Sequence, residues 1–234
     1  PVSYDLFAAC AQSPYRWGQN GDILSSPRLD NLASVFASLE TVVQTTKGVC
    51  VAACLDNEEV GSRTRQGAGG DFLSAVLTRI ALAQGMTEED KLCAYARSFC
   101  ISLDNAQGYH PNHGEKYDPQ ERAMLGKGAA IKGHAGGAYT TDALSSAVAK
   151  KIFEKAGAPL QVFYNHSDAR SGSTLGAISL GQVCILTVDI GLPQLAMHSA
   201  VETIACDDYR SLKEGLAAFW LSEISVDGTC ITID

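Results

Sequence analysis

The 234-residue sequence lacks any apolar run approaching the roughly 18 to 20 residues that a membrane-spanning helix needs, and it has no secretory signal pattern. It also lacks an excess of basic residues, because its formal net charge is -8. We therefore expect no membrane span and no nucleic-acid partner, while clustered carboxylates could attract cations. Its eight cysteines include no CxxC pair and lie mostly in apolar runs, which predicts buried thiols in a reducing, cytoplasmic compartment.

Several catalytic motifs are missing as well. The glycine-rich loop at residues 61–70 has neither the GxxxxGK[ST] order nor the GxGxxG fingerprint, which disfavours phosphate binding. Residues 168–176 superficially resemble a nucleophile elbow, but they do not contain GxSxG. These absences disfavour a nucleotide-binding enzyme and a serine hydrolase.

The sequence does contain enough apolar residues, 46% of the chain, for one substantial core, so we expect a single domain over residues 1–234. Short apolar runs predict strands at 49–55, 98–103, 160–164, 183–188 and 229–233. Helical spacing of apolar residues predicts helices at 32–43, 72–80, 141–155 and 207–220. A further helix is expected to open at residues 197–199 and to run to Ala205. This alternation of strands with helices predicts an α/β fold.

Helix 32–43 has two specific features. Its apolar residues Leu32, Val35, Phe36, Leu39, Val42 and Val43 repeat at helical spacing, so we expect them to face the core. Asp30 precedes them and is a candidate N-cap.

Two adjacent carboxylates, Glu58 and Glu59, follow the strand predicted at 49–55. Neighbouring side chains of an extended segment point in opposite directions, so one glutamate could hold a cation while the other carries a proton. The alternative is a solvated turn with two surface acids.

The same pattern recurs elsewhere, since Asp104 directly follows the strand predicted at 98–103 and His198 lies at a strand-to-helix crossover. Together with Asp30, Glu58 and Glu59, these residues place four acids and one histidine at the edges of core elements. A carboxylate-rich set with one imidazole suits a co-catalytic pair of zinc ions, whereas calcium and magnesium rarely recruit histidine.

Five segments resemble the aspartyl aminopeptidase family in the family's order. They are residues 26–32 (SPRLDNL), 56–62 (DNEEVGS), 110–112 (HPN), 172–176 (GSTLG) and 193–199 (PQLAMHS). The resemblance covers essentially the whole chain, but only the later half of a family member. It implies a three-layer α/β metallopeptidase domain with a mixed, mainly parallel central sheet.

The resemblance also implies a role for each candidate residue. Asp30 would bridge two zinc ions, with Glu59, Asp104 and His198 as further ligands. Glu58 would be the general base, which takes a proton from a metal-activated water and returns one to the leaving amine.

For the substrate, the resemblance implies contacts from Lys132 and Tyr139 and a role for His110 near the site. The implied activity is a zinc-dependent aminopeptidase that removes amino-terminal Asp or Glu from peptides, with Lys132 pairing with the acidic side chain. From the residues alone, Lys132 could instead be an exposed surface lysine and Tyr139 a packed core aromatic.

The chain departs from the family pattern at three points. A histidine ligand far upstream and the inserted dimerisation domain have no counterpart in these 234 residues, and Gln107 stands where the family has a substrate-contacting histidine. We therefore expect one tight and one weak zinc position. We also expect a dimer-based homo-oligomer, up to a dodecamer as the family implies, or pairing with a missing amino-terminal half. A catalytically silent metal-binding or assembly subunit, or an incomplete chain of such an enzyme, is the alternative.

Overall fold

The computed structural model describes residues 2–45, 48–169, 172–179, 181–228 and 230–234. Its strands are β1 (Tyr15–Trp17), β2 (Ile23–Ser26), β3 (Phe99–Leu103), β4 (Ala106–Gln107), β5 (Ala129–Lys132), β6 (Leu160–Phe163), β7 (Leu186–Gly191), β8 (Pro193–Leu195), β9 (Glu202–Ala205), β10 (Ile224–Asp227) and β11 (Cys230–Ile233). Its helices are α1 (Leu29–Val42), α2 (Phe72–Ala83), α3 (Glu88–Ala96), α4 (Ala143–Lys155), α5 (Leu175–Ser179) and α6 (Cys206–Leu221). Short 3₁₀ helices form at Glu58–Val60 and Pro111–Lys116.

The strands form two mixed sheets and one hairpin. The four-stranded sheet has the order β3-β7-β5-β6, with β3 parallel to β7, β5 antiparallel to β7, and β6 parallel to β5. The five-stranded sheet has the order β1-β2-β9-β8-β4, and only β4 and β8 are parallel in it. The α/β class with mixed sheets is therefore confirmed, although parallel pairing predominates only in the four-stranded sheet.

The core lies between the four-stranded sheet and helices α4 and α6. Ile131 and Ile190 from the sheet are buried with Phe153 of α4 and Leu212 of α6. The two helices approach closely at Gly215, where an added Cβ would lie 2.2 Å from the Phe153 ring. Because such a contact is far inside van der Waals distance, a side chain at position 215 would force α4 and α6 apart.

Helix α1 buries a different face from the one that its apolar spacing predicts. Small residues on this helix are buried instead, namely Ala33, Ser34, Ala37 and Thr41, together with Leu29. The larger residues Leu32, Phe36, Leu39 and Val43 are 43–78% exposed. The prediction was wrong because α1 packs tightly on α6, where small side chains fit.

Two predicted elements, the strand at 49–55 and the helix that ends at Ala205, do not form in the structure. Residues 48–55 form no strand, because no strand in the described part of the chain pairs with them and a strand requires a partner for its backbone groups. Residues 202–205 form β9 between β2 and β8, so the helix predicted at 197–205 is wrong and α6 begins only at Cys206. Short apolar runs do not distinguish strand from helix by periodicity.

The remaining elements are close to the prediction. Helices α2, α4 and α6 and strands β3 and β6 form where expected, while β7 runs from Leu186 to Gly191 and so contains Asp189. Arg170, Ser171 and Thr229, which belong to predicted segments, lie outside the described residues. No helix in the described part of the chain is long and apolar enough to cross a bilayer.

The prediction that the cysteines are buried thiols is wrong for four of the eight. All eight lie in the described ranges and none forms a disulfide there, and Cys54, Cys93, Cys184 and Cys230 are exposed. Cys54 is exposed because it belongs to the segment 48–55, which no strand covers.

Candidate metal centre

Three of the predicted metal ligands come together in the structure. His198 Nε2 lies 3.2 Å from Asp30 Oδ2 and 3.0 Å from Glu59 Oε1. One ligand atom from each of the three residues lies within 4.8 Å of the other two, so these atoms could bind one cation. They come from three distant parts of the chain: the start of α1, the turn at Glu58–Val60 and the loop between β8 and β9.

Two of these ligands depend on unusual backbone conformations. His198 has a φ of 65°, and Asn57, which precedes the Glu58–Val60 turn, has a φ of 61°. Left-handed conformations are uncommon for residues other than glycine and cluster at functional sites. The side chain of Asn57 donates to Thr64 Oγ1 and ties the turn to the following loop.

A buried carboxylate, Glu202, holds two ligand-bearing segments together. Its Oε2 accepts a hydrogen bond of 2.8 Å from Asp30 N, and its Oε1 accepts one of 2.7 Å from His198 N. Only 3% of Glu202 is exposed. The sequence did not reveal this role because positions 197–205 were predicted to be a helix, although a glutamate four residues after His198 was a usable signal.

Asp30 is the most strongly perturbed acid of the cluster. Its side chain is 4% exposed, and burial raises its pKa to about 8, with further contributions from the nearby charges of Asp104, Glu59 and Glu202. Within the described ranges its Oδ1 has no hydrogen-bond partner. The carboxylate therefore does not cap α1 as expected. Instead, a buried orphan oxygen beside two acids and an imidazole fits a divalent cation, and zinc accepts this mixture of oxygen and nitrogen ligands.

Glu58 lies next to this cluster but outside the three-residue group. Burial raises the pKa of its carboxyl group, and the charges of Asp104 and Glu59 raise it further, while Lys132 and His198 act in the opposite direction. A carboxylate with a raised pKa is suited to accept and return a proton near neutral pH.

The fourth predicted ligand, Asp104, has a different partner. Its Oδ2 lies 3.0 Å from Lys132 Nζ, which also donates to the Asn105 carbonyl oxygen at 3.3 Å. Lys132 is 2% exposed, so the alternative of a surface lysine is wrong. Asp104 directly follows β3 and Lys132 is the last residue of β5, and these two strands lie on opposite sides of β7.

Tyr139 lies beside this ion pair, with its ring centroid 5.2 Å from Lys132 Nζ. The residue that follows it, Thr140, is held by Asp189, whose Oδ2 accepts from the Thr140 backbone N and hydroxyl. The other oxygen of Asp189 accepts from Thr174 before α5. Asp189 thus fixes the loop that carries Tyr139, a role hidden in the sequence because the predicted strand ended before it.

The remaining predicted residues contact other parts of the chain. His110 Nδ1 accepts from the backbone N of Asn112, and its ring lies 5.5 Å from that of His113. Gln107 lies in β4 and is exposed.

Comparisons with known proteins agree with this geometry. The family model described as aminopeptidase I zinc metalloprotease (M18) matches residues 2–220. A probable M18 family aminopeptidase 2 from Clostridium novyi is 45% identical over 210 residues, which are 89% of this chain and 48% of that protein. The chain thus spans about half the length of the curated relatives it matches.

Solved structures share the fold. A cryo-EM structure of the Ape4 and Nbr1 complex has a TM-score of 0.82 at 30% identity, covering 90% of this chain and 41% of that chain. The mApe1 dodecamer of S. cerevisiae has a TM-score of 0.74 at 26% identity, covering 90% and 48%. Because the family model matches residues 2–220, the chain belongs to the M18 family of zinc metalloprotease aminopeptidases.

Proposed function

We propose that residues 1–234 form one catalytic domain of an aminopeptidase that removes acidic amino-terminal residues from peptides. The observation that carries this proposal is the convergence of Asp30, Glu59 and His198, whose ligand atoms lie within 4.8 Å of one another. Membership of a zinc metalloprotease family supports zinc as the cation.

In this proposal Asp30, Glu59 and His198 hold zinc, and Asp104 contributes to a second position. Zinc bound there would supply Lewis acidity and lower the pKa of a coordinated water. The Glu58 carboxylate takes the proton from the attacking water and returns it to the leaving amine. Its raised pKa favours both transfers near neutral pH.

Lys132 and Tyr139 support the proposed preference for acidic residues. The Lys132 ammonium is buried against Asp104, so a substrate carboxylate entering this site would meet a desolvated cation. The Tyr139 ring faces the same ammonium, and Asp189 holds the adjacent residue in place.

Two observations favour a second function. Lys132 pairs with Asp104, one of the predicted ligands, and the described residues bring only one histidine to the cluster. A catalytically silent subunit that binds a single metal or supports assembly would also have these features. The mApe1 relative is a dodecamer, and we propose that this protein too forms a homo-oligomer, which light scattering would test.

Hydrolysis of Asp and Glu anilides by the intact gene product, with and without a chelator, separates the two functions. An acid-specific aminopeptidase hydrolyses both substrates, prefers them to a leucine anilide and loses activity on chelation. Turnover that is absent, or that persists in chelator, would instead support the silent subunit or a contaminating enzyme.

A further inference from the structure

The loop between β5 and α4 carries a histidine, His134, that the proposed mechanism does not use. Lys132 ends β5 just before this loop, and Tyr139 lies further along it. The pairing with β6 continues one residue past Lys132, because the Gly133 backbone N donates to the Phe163 carbonyl oxygen at 2.9 Å. Residues two apart in an extended segment project to the same face, so Lys132 and His134 point to one side.

The ring of Tyr139 contacts both of these side chains. Its centroid lies 5.2 Å from Lys132 Nζ and 6.0 Å from the centroid of the His134 ring, and the two rings meet edge-on at an interplanar angle of 84°. Because one aromatic ring contacts both residues, the ammonium and the imidazole belong to a single cluster of side chains at the candidate site.

The backbone of the loop fixes the orientation and the tautomer of His134. Its Nδ1 accepts hydrogen bonds from the backbone N atoms of Gly136 at 3.0 Å and Ala138 at 3.4 Å. A ring nitrogen that accepts carries no proton, so the neutral imidazole has its proton on Nε2. Nε2 has no hydrogen-bond partner in the described part of the chain, and the residue is only half-buried. Its N–H is therefore free to donate to a ligand.

Two glycines allow the loop to fold closely around the imidazole. An added Cβ at Gly136 would lie 2.9 Å from His134 Cε1, and one at Gly133 would lie 2.5 Å from the Tyr164 ring. Both distances are too short for real carbon contacts, so a side chain at either position would displace the histidine or the loop. The donor is thus held in place before a ligand arrives, which lowers the entropic cost of binding to it.

The spacing of Lys132 and His134 equals the repeat of an extended peptide. Residues two apart in an extended chain are separated by about 6.6 Å, and their side chains project to the same side. A peptide that meets Lys132 with its first side chain and runs along the Tyr139 ring would bring its third side chain to His134. Its second side chain would point away from both residues.

We propose that the Nε2–H of His134 binds the carboxylate of an acidic third residue of the peptide, in register with Lys132 at the first residue. This role rests on the proposed function, in which Lys132 is the partner of the first acidic side chain. A carboxylate suits the position because it accepts a hydrogen bond more strongly than a neutral amide does. The ion pairs of histidine among the described residues are those of His113, His166 and His198, so His134 has no carboxylate of its own there.

Four-residue peptides with amidated carboxyl termini test this role on the intact gene product. Asp-Ala-Asp-Ala amide carries a carboxylate at the third position, and Asp-Ala-Asn-Ala amide replaces it with a neutral group of the same shape. Amidation removes the terminal carboxylate, which would otherwise be a second source of the same chemistry. We expect kcat/KM for release of the first residue to be about tenfold higher for the acidic peptide, the size of one hydrogen bond to a charged group.

A second pair of peptides tests the register. Asp-Asp-Ala-Ala amide and Asp-Asn-Ala-Ala amide move the same change to the second position. Since alternate side chains of an extended peptide project to opposite sides, we expect this pair to show no such difference in kcat/KM.

Two substitutions of His134 separate its free N–H from its contacts with the loop. His134→Asn keeps an acceptor where Nδ1 lies but has no atom at the Nε2 position, so the preference for the acidic peptide should fall to about one. His134→Gln reaches the Nε2 position with its amide N and should retain a preference. His166→Ala is the matched control and should keep the preference, because His166 Nδ1 also accepts from the backbone N two residues later but lines a separate cavity.

Binding can be measured without hydrolysis. Calorimetry gives the affinity of the Asp-Ala-Asp-Ala and Asp-Ala-Asn-Ala amides for Glu58→Gln, in which the peptides stay uncleaved, and for the same variant with His134→Asn added. We expect the acidic peptide to bind about tenfold more tightly only while His134 is present. Amide exchange at Gly136 and Ala138 shows whether the loop is intact in the second variant.

The proposal is overturned if the acidic and neutral peptides give equal kcat/KM and equal affinity, a comparison that needs no substitution of His134. A preference that survives His134→Asn, or an equal gain from an acidic second residue, would also overturn it. If the protein hydrolyses none of the peptides but binds the acidic one more tightly through His134, the proposed activity fails and this role holds. Hydrolysis that does not depend on the third residue gives the reverse.

Discussion

The ammonium group of Lys132 lies 3.0 Å from the Asp104 carboxylate. Lys132 is the last residue of β5 and Asp104 directly follows β3, and these two strands flank β7. Lys132 is thus a buried cation, and among the described residues its one charged partner in hydrogen-bond range is Asp104, a predicted metal ligand. If a metal recruits Asp104, the ammonium becomes available to a second carboxylate, and an acidic substrate side chain would supply it.

This relationship predicts a change of specificity in Lys132→Met. We expect kcat/KM for an Asp anilide to fall by about a hundredfold, because a buried ion pair to substrate is lost. Hydrolysis of an Ala anilide should change by much less. Lys127→Met, at an exposed position before β5, is the control. An equal loss on both substrates would show that Lys132 supports the site generally and does not select acidic residues.

Substitutions of the adjacent glutamates should distinguish a loss of proton transfer from a loss of zinc binding. Glu58→Gln removes a proton carrier, so we expect turnover to fall by about a hundredfold to ten-thousandfold with zinc content retained. Glu59→Gln removes a charge from the three-residue cluster and should weaken zinc binding. Zinc content of the purified variants, measured by atomic absorption, distinguishes them, and the reverse pattern would mean that the two roles are exchanged.

Glu202 should affect zinc affinity indirectly, because its carboxylate accepts hydrogen bonds from the backbone of two predicted ligands. Glu202→Gln keeps the size of the side chain but leaves one of the two backbone N–H groups, that of Asp30 or His198, without a good acceptor. Residues that orient metal ligands typically contribute about tenfold to a hundredfold in metal affinity, and we expect a loss of that size by calorimetry. The control is Glu214→Gln, at an exposed position on α6. A drop in unfolding temperature with unchanged zinc affinity would make Glu202 purely structural.

The sequence predicted those parts of the fold that depend on local pattern. Helices α2, α4 and α6 were recognisable because their apolar spacing is set within one segment. Residues 49–55 and 202–205 were not, since their conformation depends on whether a distant strand pairs with them.

The residues of the candidate site also fall into two groups, those that the nearby sequence identifies and those whose role depends on distant partners. Asp30, Glu59 and His198 could be found because the residues around each resemble those of one family. Glu202 and Asp189 escaped notice because their role is to accept hydrogen bonds from distant backbone groups, which only the folded chain brings near. The pairing of Asp104 with Lys132 joins residues 28 positions apart and was equally invisible.

The two zinc positions should be unequal. Asp30, Glu59 and His198 supply one position with an imidazole, whereas the second has Asp104, which is engaged by Lys132, and the shared Asp30. A position with carboxylates alone binds zinc less tightly than one with an imidazole. Zinc titration followed by calorimetry should resolve one strong and at most one weak event. Two equally tight events would mean that another residue, such as His110 or His113, completes the second position.

Zinc binding should release a proton from Asp30. Its pKa of about 8, against an ordinary value of 3.8, means that the metal-free folded chain holds a proton at pH 7 that the unfolded chain has lost. The metal-free protein should therefore become less stable as the pH rises from about 4 to 8, since the folded state binds more protons over that range. Asp30→Asn should flatten this dependence.

The protonation of Asp30 should also make the affinity for zinc depend on pH. Zinc requires the ionised carboxylate, so apparent affinity should rise between pH 7 and 8 and level off above the pKa of Asp30. Calorimetry in two buffers of different ionisation enthalpy gives the number of protons released, which we expect to be close to one at pH 7. Asp56→Asn, at an exposed acid near the Glu58–Val60 turn, should leave that number unchanged. Binding without proton release would mean that Asp30 is already ionised at pH 7, and that its buried orphan oxygen is stabilised by a group other than the metal.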